Sequence, residues 1–337
     1  MRNSISLLIL LTLFCYLSLQ DASAQGEVCP APLDVISPEF PFESKFVNVL
    51  DSTMAYIEAG EGDPILFIHG QPTYSYLWRN VIPFVTPHGR AIAVDLIGMG
   101  RSGKPDIPYR FADHSDYLEA FIEALDLKDI TLVIHDWGGN LGLRYARRHP
   151  HNVRAIAFFE VQIFDPPDIP FPQFEDLGDF GELLAAIKTP GVGEELMLEQ
   201  NLFVEVVLRT GVGTRELTEA EMEFYREPYP TPKSRIPTLV WPREFPVDGQ
   251  PADTAMEIVR NVRWLKRTPV PKLLFYAEPG ILISPAFADY LAHNIRNLET
   301  RFIGPGIHYL QEQNPRAIGL GLADWLRRIE ERKRRHY

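Results

Sequence analysis

The chain has 337 residues, of which 45 % are hydrophobic, and 33 Lys and Arg stand against 45 Asp and Glu for a formal net charge of −12. That length accommodates one large domain, or a core domain with an inserted cap, around a sizeable apolar core. The acidic balance excludes nucleic acid as the main partner and does little to draw the chain to anionic membranes.

The first 24 residues carry a targeting pattern. Met1, Arg2 and Asn3 give a short basic start, residues 7–19 an apolar run, and Ala22-Ser23-Ala24 a small-x-small cleavage pattern. The run is shorter than the roughly 20 residues that span a bilayer. The pattern predicts a cleavable signal peptide over 1–24, a secreted or periplasmic mature chain, and no membrane insertion after cleavage. Cys15 leaves with the signal, so Cys29 stands alone and no disulfide forms within the mature chain. Residues 25–44, with Pro30, Pro32, Pro38 and Pro41, read as an extended arm.

Two short antiparallel strands follow over 45–50 and 54–58, with Gly60 and Gly62 in the next turn. Apolar runs at 64–69, 90–95, 130–134, 153–159, 272–276 and 300–303 are separated by longer segments, helical in pattern over most of the first gaps. Continuous apolar runs at this spacing predict an α/β fold whose mostly parallel sheet is covered by helices on both faces. Functional loops are then expected at the C-terminal ends of the strands. Between Glu160 and about Pro271 the alternation stops and the chain becomes helical and proline-rich, which predicts an inserted helical cap over 161–250. The core domain is then 45–160 together with 251–337. Thr218-x-x-Glu221 resembles a capping box, and 327–335 reads as the basic, solvated end of a last helix.

The segment Thr131-Leu-Val-Ile-His-Asp-Trp-Gly-Gly-Asn140 runs a buried strand directly into a turn and a helix expected to begin near Asn140. This is the shape of a nucleophile elbow, in which a strained turn lifts one side chain above the sheet. The central residue is Asp136, a carboxylate over a helix N-terminus and so an ionised nucleophile that needs no base to deprotonate it. Read alone, Asp136 fits a helix N-cap as well. His69-Gly70-Gln71-Pro72 follows the first parallel strand, where this fold sets a second oxyanion donor, and Gln71 adds an amide N–H. His308, on the loop Gly304-Pro-Gly-Ile-His, lies after the last strand and in the chain order nucleophile, acid, base. Glu160 ends an otherwise apolar strand, and a carboxylate there is suited to orienting the His308 imidazole; Glu278, after the next strand, is the competing acid. Tyr74, Trp78, Phe164, Phe171, Phe174, Phe203 and Trp241 fit an apolar pocket or ordinary core packing alike. No metal-ligand spacing and no phosphate-binding glycine loop occurs, so no cofactor is expected.

Four segments together resemble the haloalkane dehalogenases: His69–Arg79, Asp95–Ser102, Ile134–Gly138 and Gly304–Glu312, with cap segments Glu219–Pro228 and Trp241–Pro246. The resemblance covers nearly all of 45–330, and an acid at Glu160 is similar to the Asp-His-Glu subfamily. It implies an α/β-hydrolase fold and a cofactor-free reaction. Asp136 attacks a halogen-bearing carbon, and His308, oriented by Glu160, activates water to hydrolyse the ester. Trp137 and Gln71 bind the leaving halide. The implied partners are a small apolar halogenated substrate, water and the halide product. The family usually carries Asn where this chain has Gln71; the extra methylene, on the order of a C–C bond in reach, predicts weaker halide binding and a gain on Gln71→Asn. The chain also resembles the sea-pansy type of coelenterazine luciferase, a monooxygenase. The wording His-Asp-Trp-Gly-Gly is shared with epoxide hydrolases, where Tyr225 or Tyr229 of the cap would have to serve as acids.

Overall fold

A computed structural model describes residues 35–334. The expected signal peptide, Cys15 and Cys29 lie outside the described residues. The order of strands follows the apolar runs. These are β1 (Lys45–Val49), β2 (Ser52–Ala59), β3 (Pro64–Ile68), β4 (Arg90–Val94), β5 (Ile130–His135), β6 (Val153–Phe159), β7 (Lys272–Pro279) and β8 (Leu298–Gly306). They form one eight-stranded sheet in the order β1-β2-β4-β3-β5-β6-β7-β8. β1 and β2 pair antiparallel, as do β2 and β4, and the remaining pairs are parallel.

The inner parallel strands β3 to β6 are mostly apolar because both faces are covered, with Arg90 and Arg154 only at the strand starts. In β3, Leu66 and Ile68 enter one core cluster, whereas Ile65 and Phe67 enter the other. All four are buried, and each contributes about 1.5–3 kcal/mol on leaving water. Helices α1 (Phe111–Ala124) and α2 (Trp137–Arg148) supply the first cluster. Ile318, Leu322 and Trp325 of the last helix join the second.

Between β6 and β7 lie α3 (Gly178–Lys188), α4 (Glu219–Arg226), α5 (Ile236–Glu244) and α6 (Ala252–Arg267). The stretch before α4 includes a π-helical turn at Phe203–Val207 that leads into the short helix Leu208–Val212. α4 opens with the expected capping box: Thr218 Oγ1 accepts from the Glu221 N–H, and Glu221 Oε2 accepts from the Thr218 N–H. α6 returns to the sheet, where Asn261 Nδ2 donates to Asn140 O on α2 at 3.0 Å. After β7 come α7 (Pro285–Asn294) and, beyond β8, α8 (Pro315–Arg334). Among the described residues no helix is long and apolar enough to cross a membrane.

The sheet order turns back at β3. β4 lies on one side of it and β5 on the other, so the loops after β3 and β5 diverge and leave a crevice at the C-terminal edge. Ile68 pairs with Ile134 and His135 pairs with Phe159, which brings the residues following β3, β5 and β6 together at that edge. Three boundaries differ by three residues from the sequence expectation. α2 begins at Trp137 and not near Asn140, because the backbone turns abruptly at Asp136 (φ 49°, ψ −130°). β7 and β8 run on to Pro279 and Gly306, since Glu278 pairs with Pro305 and Pro279 with Gly306. Glycine and proline at those ends mask strand pairing in the composition.

Candidate active site

Asp136 is the residue between β5 and α2, and its side chain makes no capping bond to its own helix. It is instead held from two other directions. Oδ2 accepts the Gln71 backbone N–H at 2.8 Å, and Oδ1 accepts Gln162 Nε2 at 2.8 Å. The turn can be this tight because its neighbours lack side chains. A Cβ on Gly70 would lie 2.3 Å from Asp136 Oδ2, and one on Gly138 would lie 2.2 Å from His69 O. His69 fixes the adjoining turn by donating Nδ1–H to Gly70 O at 2.7 Å while Nε2 accepts the Leu96 N–H at 2.9 Å.

The structure brings Glu160 and His308 to the same point. Glu160 is fully buried, also at positive φ (50°), and its carboxylate accepts backbone N–H groups of Ile281, Leu282 and Ile283 at 3.3, 2.9 and 3.2 Å. Its Oε2 faces His308 Nδ1 at 3.2 Å, and His308 Nε2 faces Asp136 Oδ1 at 3.8 Å. Glu278, the competing acid, is exposed at the end of β7. Burial lowers the His308 pKa, but bonds and attraction to Asp136 and Glu160 outweigh it and raise the value to about 9. Burial raises the Asp136 pKa; His308 and the Gln71 N–H more than offset this and hold it below the ordinary carboxylate value. The neighbouring His135 is pushed down to about 3, first by burial, and so is neutral. Its Nε2–H donates to His308 O at 2.9 Å and ties the end of β5 to the histidine loop.

Asp136 and His308 line a cavity of about 280 Å³ between the sheet edge and the 160–271 segment. Gln71, Asp136, Trp137 and His308 stand on its floor, and Phe180, Leu183, Phe203, Val206 and Phe245 make much of its apolar wall. Of the seven aromatic candidates only Phe203 is among the lining residues. Trp78 packs into the second core cluster, and Tyr74 packs with Tyr76 and Tyr225. Trp241 lies behind Trp137, stacked on it at 4.8 Å and on the buried His114 at 4.2 Å. Gln71 spends one of its two amide protons on the carbonyl of Thr238, with Nε2···O 2.7 Å. Tyr225 donates its hydroxyl to Glu312, and Tyr229 donates to Pro72 O at 3.0 Å. Among the described residues no group of three or more His, Cys, Asp or Glu could hold a metal ion.

Sequence reasoning missed Gln162. Its signal was a polar residue in the otherwise apolar run Val161-Gln-Ile-Phe164, directly after the end of a buried strand. It also missed Gly211, whose carbonyl accepts the backbone N–H of both His308 and Tyr309 at 2.8 and 2.9 Å. A backbone acceptor leaves no trace in residue identity.

A carboxylate at an elbow, a buried acid and a loop histidine on this sheet define a class: residues 63–315 match the α/β-hydrolase-fold family, to which the chain belongs. Within it, the chain is 49 % identical over 281 residues to a haloalkane dehalogenase of Mesorhizobium japonicum, covering 83 % of this chain and 90 % of that one. It is 44 % identical over 303 residues to a haloalkane dehalogenase of Bradyrhizobium diazoefficiens, covering 88 % and 97 %. The solved haloalkane dehalogenase DbeA from Bradyrhizobium elkani superposes with a TM-score of 0.82 at 44 % identity, over 86 % of this chain and 99 % of that one. The chain belongs to the haloalkane dehalogenase family.

Proposed function

We propose that the protein hydrolyses haloalkanes to an alcohol, a halide and a proton through an ester on Asp136. The observation that supports this best is the uncapped Asp136 carboxylate, fixed by Gln71 and Gln162 on the floor of an apolar cavity, with His308 on its other side. In the first step a carboxylate oxygen forms a bond to the halogen-bearing carbon as the carbon–halogen bond breaks and the halide leaves. Trp137 Nε1–H and the second amide N–H of Gln71 bind that halide. Indole is a donor only and suits an anion in a dry site.

In the second step water attacks the ester carbonyl carbon, and His308 Nε2 takes its proton. The backbone N–H groups of Gln71 and Trp137 form the oxyanion hole. Glu160 holds the imidazole by Nδ1 and stabilises its cation. The charge balance orders the two steps. In the free enzyme the carboxylate of Asp136 keeps His308 protonated, with a pKa of about 9. Esterification removes that negative charge, the imidazolium loses its proton to solvent, and the base is armed only once it has an ester to hydrolyse.

Epoxide opening would need a hydroxyl acid from the cap, but the Tyr225 and Tyr229 hydroxyls already donate to Glu312 and Pro72. The test is bromide release from 1,2-dibromoethane and 1-bromobutane. Wild type is expected to release bromide, Asp136→Ala none, and His308→Gln to accumulate an alkyl adduct on the Asp136 peptide detectable by mass spectrometry. No bromide together with light from coelenterazine would overturn the reading in favour of the monooxygenase.

A further inference from the structure

We propose that Arg79, remote from the reacting atoms, is a positioning residue for the hydrolytic half of the reaction. It clamps the turn behind His308 to α4. The proposal rests on the assignment of Asp136 as nucleophile and His308 as base.

Arg79 follows the 3-10 turn Ser75–Trp78, and its side chain is 1 % exposed. All five of its N–H groups find acceptors. Nε donates to Ser37 O at 2.7 Å. One terminal nitrogen donates to Glu312 Oε1 at 2.5 Å and Tyr76 O at 3.3 Å. The other donates to Glu312 Oε2 at 3.0 Å and Glu221 Oε1 at 2.7 Å. The guanidinium also lies 3.9 Å from the Tyr76 ring centroid. Glu221 and Glu312 side chains are fully buried. Arg215 completes the cluster by pairing with Glu221 and lying 3.5 Å from Glu312 Oε2, so two cations meet two anions. Tyr225 adds a hydroxyl to Glu312.

The cluster joins two parts of the chain that matter for the base. Glu312 sits in the short helix Leu310–Gln313, and the intervening turn is internally bonded, Leu310 N–H to His308 O and Glu312 N–H to Tyr309 O, both at 2.9 Å. Fixing Glu312 therefore fixes the stem of His308. Glu221 belongs to α4, and the same side of the molecule supplies the Gly211 carbonyl to the N–H groups of His308 and Tyr309. His308 thus hangs from α4 and its preceding segment. The carboxylate of Asp136 takes its bonds from Gln71 and Gln162 and none from this cluster. The turn reaches those partners through Tyr309, whose hydroxyl donates to the Gln71 carbonyl at 3.0 Å and not to the N–H that holds Asp136. Disturbing Arg79 therefore displaces the base far more than the nucleophile. A buried ion pair by itself is weak evidence for stability, and a single lost partner leaves an uncompensated charge. A bidentate arginine between two carboxylates does, however, fix geometry in a way a lysine cannot.

The experiment separates the two chemical steps by rapid mixing with 1,2-dibromoethane, using wild type, Arg79→Lys, Tyr225→Phe and the charge-balanced Arg79→Met/Glu312→Met. The bromide burst reports ester formation, and decay of the adduct on the Asp136 peptide reports hydrolysis. Displacing a catalytic group by about 1 Å can cost on the order of 100-fold, so in Arg79→Lys and the double variant hydrolysis is expected to slow by about tenfold or more, with the burst rate per folded enzyme within about twofold of wild type. The adduct then accumulates, and kcat and KM fall together while kcat/KM holds. Tyr225→Phe uncovers no charge and should show the same split, smaller. Equal losses in both steps, or neither step changed in folded variants, would overturn the proposal and leave Arg79 a purely structural ion pair. If wild type itself gives no burst and no adduct, it is the assignment of Asp136 that has failed.

Discussion

Asp136→Asn imitates the ester in one respect: it removes the negative charge and keeps the shape. Its effect on His308 can be worked from the geometry. A unit charge 3.8 Å from Nε2 interacts by about 4 kcal/mol at an effective dielectric of ~20, and by about 1 kcal/mol in water-like surroundings. His308, with its side chain 14 % exposed, lies between these limits. At about 1.4 kcal/mol per pH unit, its midpoint should fall by about 1 to 3, from about 9 towards neutrality. The assay is imidazole nitrogen NMR across pH 5 to 10 on wild type and variant, with His308→Gln to assign the signal. The stability curve offers a second reading. A histidine whose folded pKa is raised from 6.5 to about 9 contributes stability that is fully present below about pH 6.5 and lost as pH rises through about 9, on the order of 3 kcal/mol. Urea melts should show wild type weakening over that window and Asp136→Asn weakening much less. A variant midpoint within about half a unit of wild type would refute the idea that the ester arms the base.

Gln71→Asn is expected to lose activity, contrary to what the family comparison alone suggests. The shorter amide cannot reach Thr238 O, and losing that 2.7 Å bond should cost about 1 kcal/mol of stability; faster bromide release by the variant would sink this. Gly70→Ala drives a methyl group into the proposed nucleophile, with contacts of 2.3 and 2.5 Å to Asp136 Oδ2 and Cβ. Turnover should drop by about 100-fold or more while the circular dichroism spectrum persists.

Most of the sheet was legible because a strand buried on both faces has to be largely apolar, and β3 to β6 are, with Arg90 and Arg154 at the strand starts and Thr131 and His135 as the other polar positions. Asp136 and Glu160 were legible as candidates for the converse reason: each is a polar residue at the end of such a run, where the chain leaves the sheet at a fixed edge, whereas His308 was legible from its place on the glycine-rich loop after β8. What stayed hidden depends on contacts distant in sequence. Nothing near Arg79 announces that its partners are Glu221 and Glu312, and nothing at Thr238 announces that its carbonyl receives Gln71. The cavity wall stayed open for a related reason. Large aromatics such as Trp78 and Tyr74 are as useful behind a pocket as around it, and here Phe180, Leu183 and Val206 are among the residues that line it.

Asp136 and Glu160 share an uncommon backbone state, with φ of 49° and 50° at the ends of neighbouring strands. Side chains other than glycine occupy that region at a cost of order 1–3 kcal/mol each. Glycine would relieve that strain, but at position 160 it would strand the backbone N–H groups of Ile281, Leu282 and Ile283, and at 136 the Gln71 N–H and the Gln162 amide, without acceptors. The strain at each carboxylate is thus offset by the bonds that same carboxylate accepts.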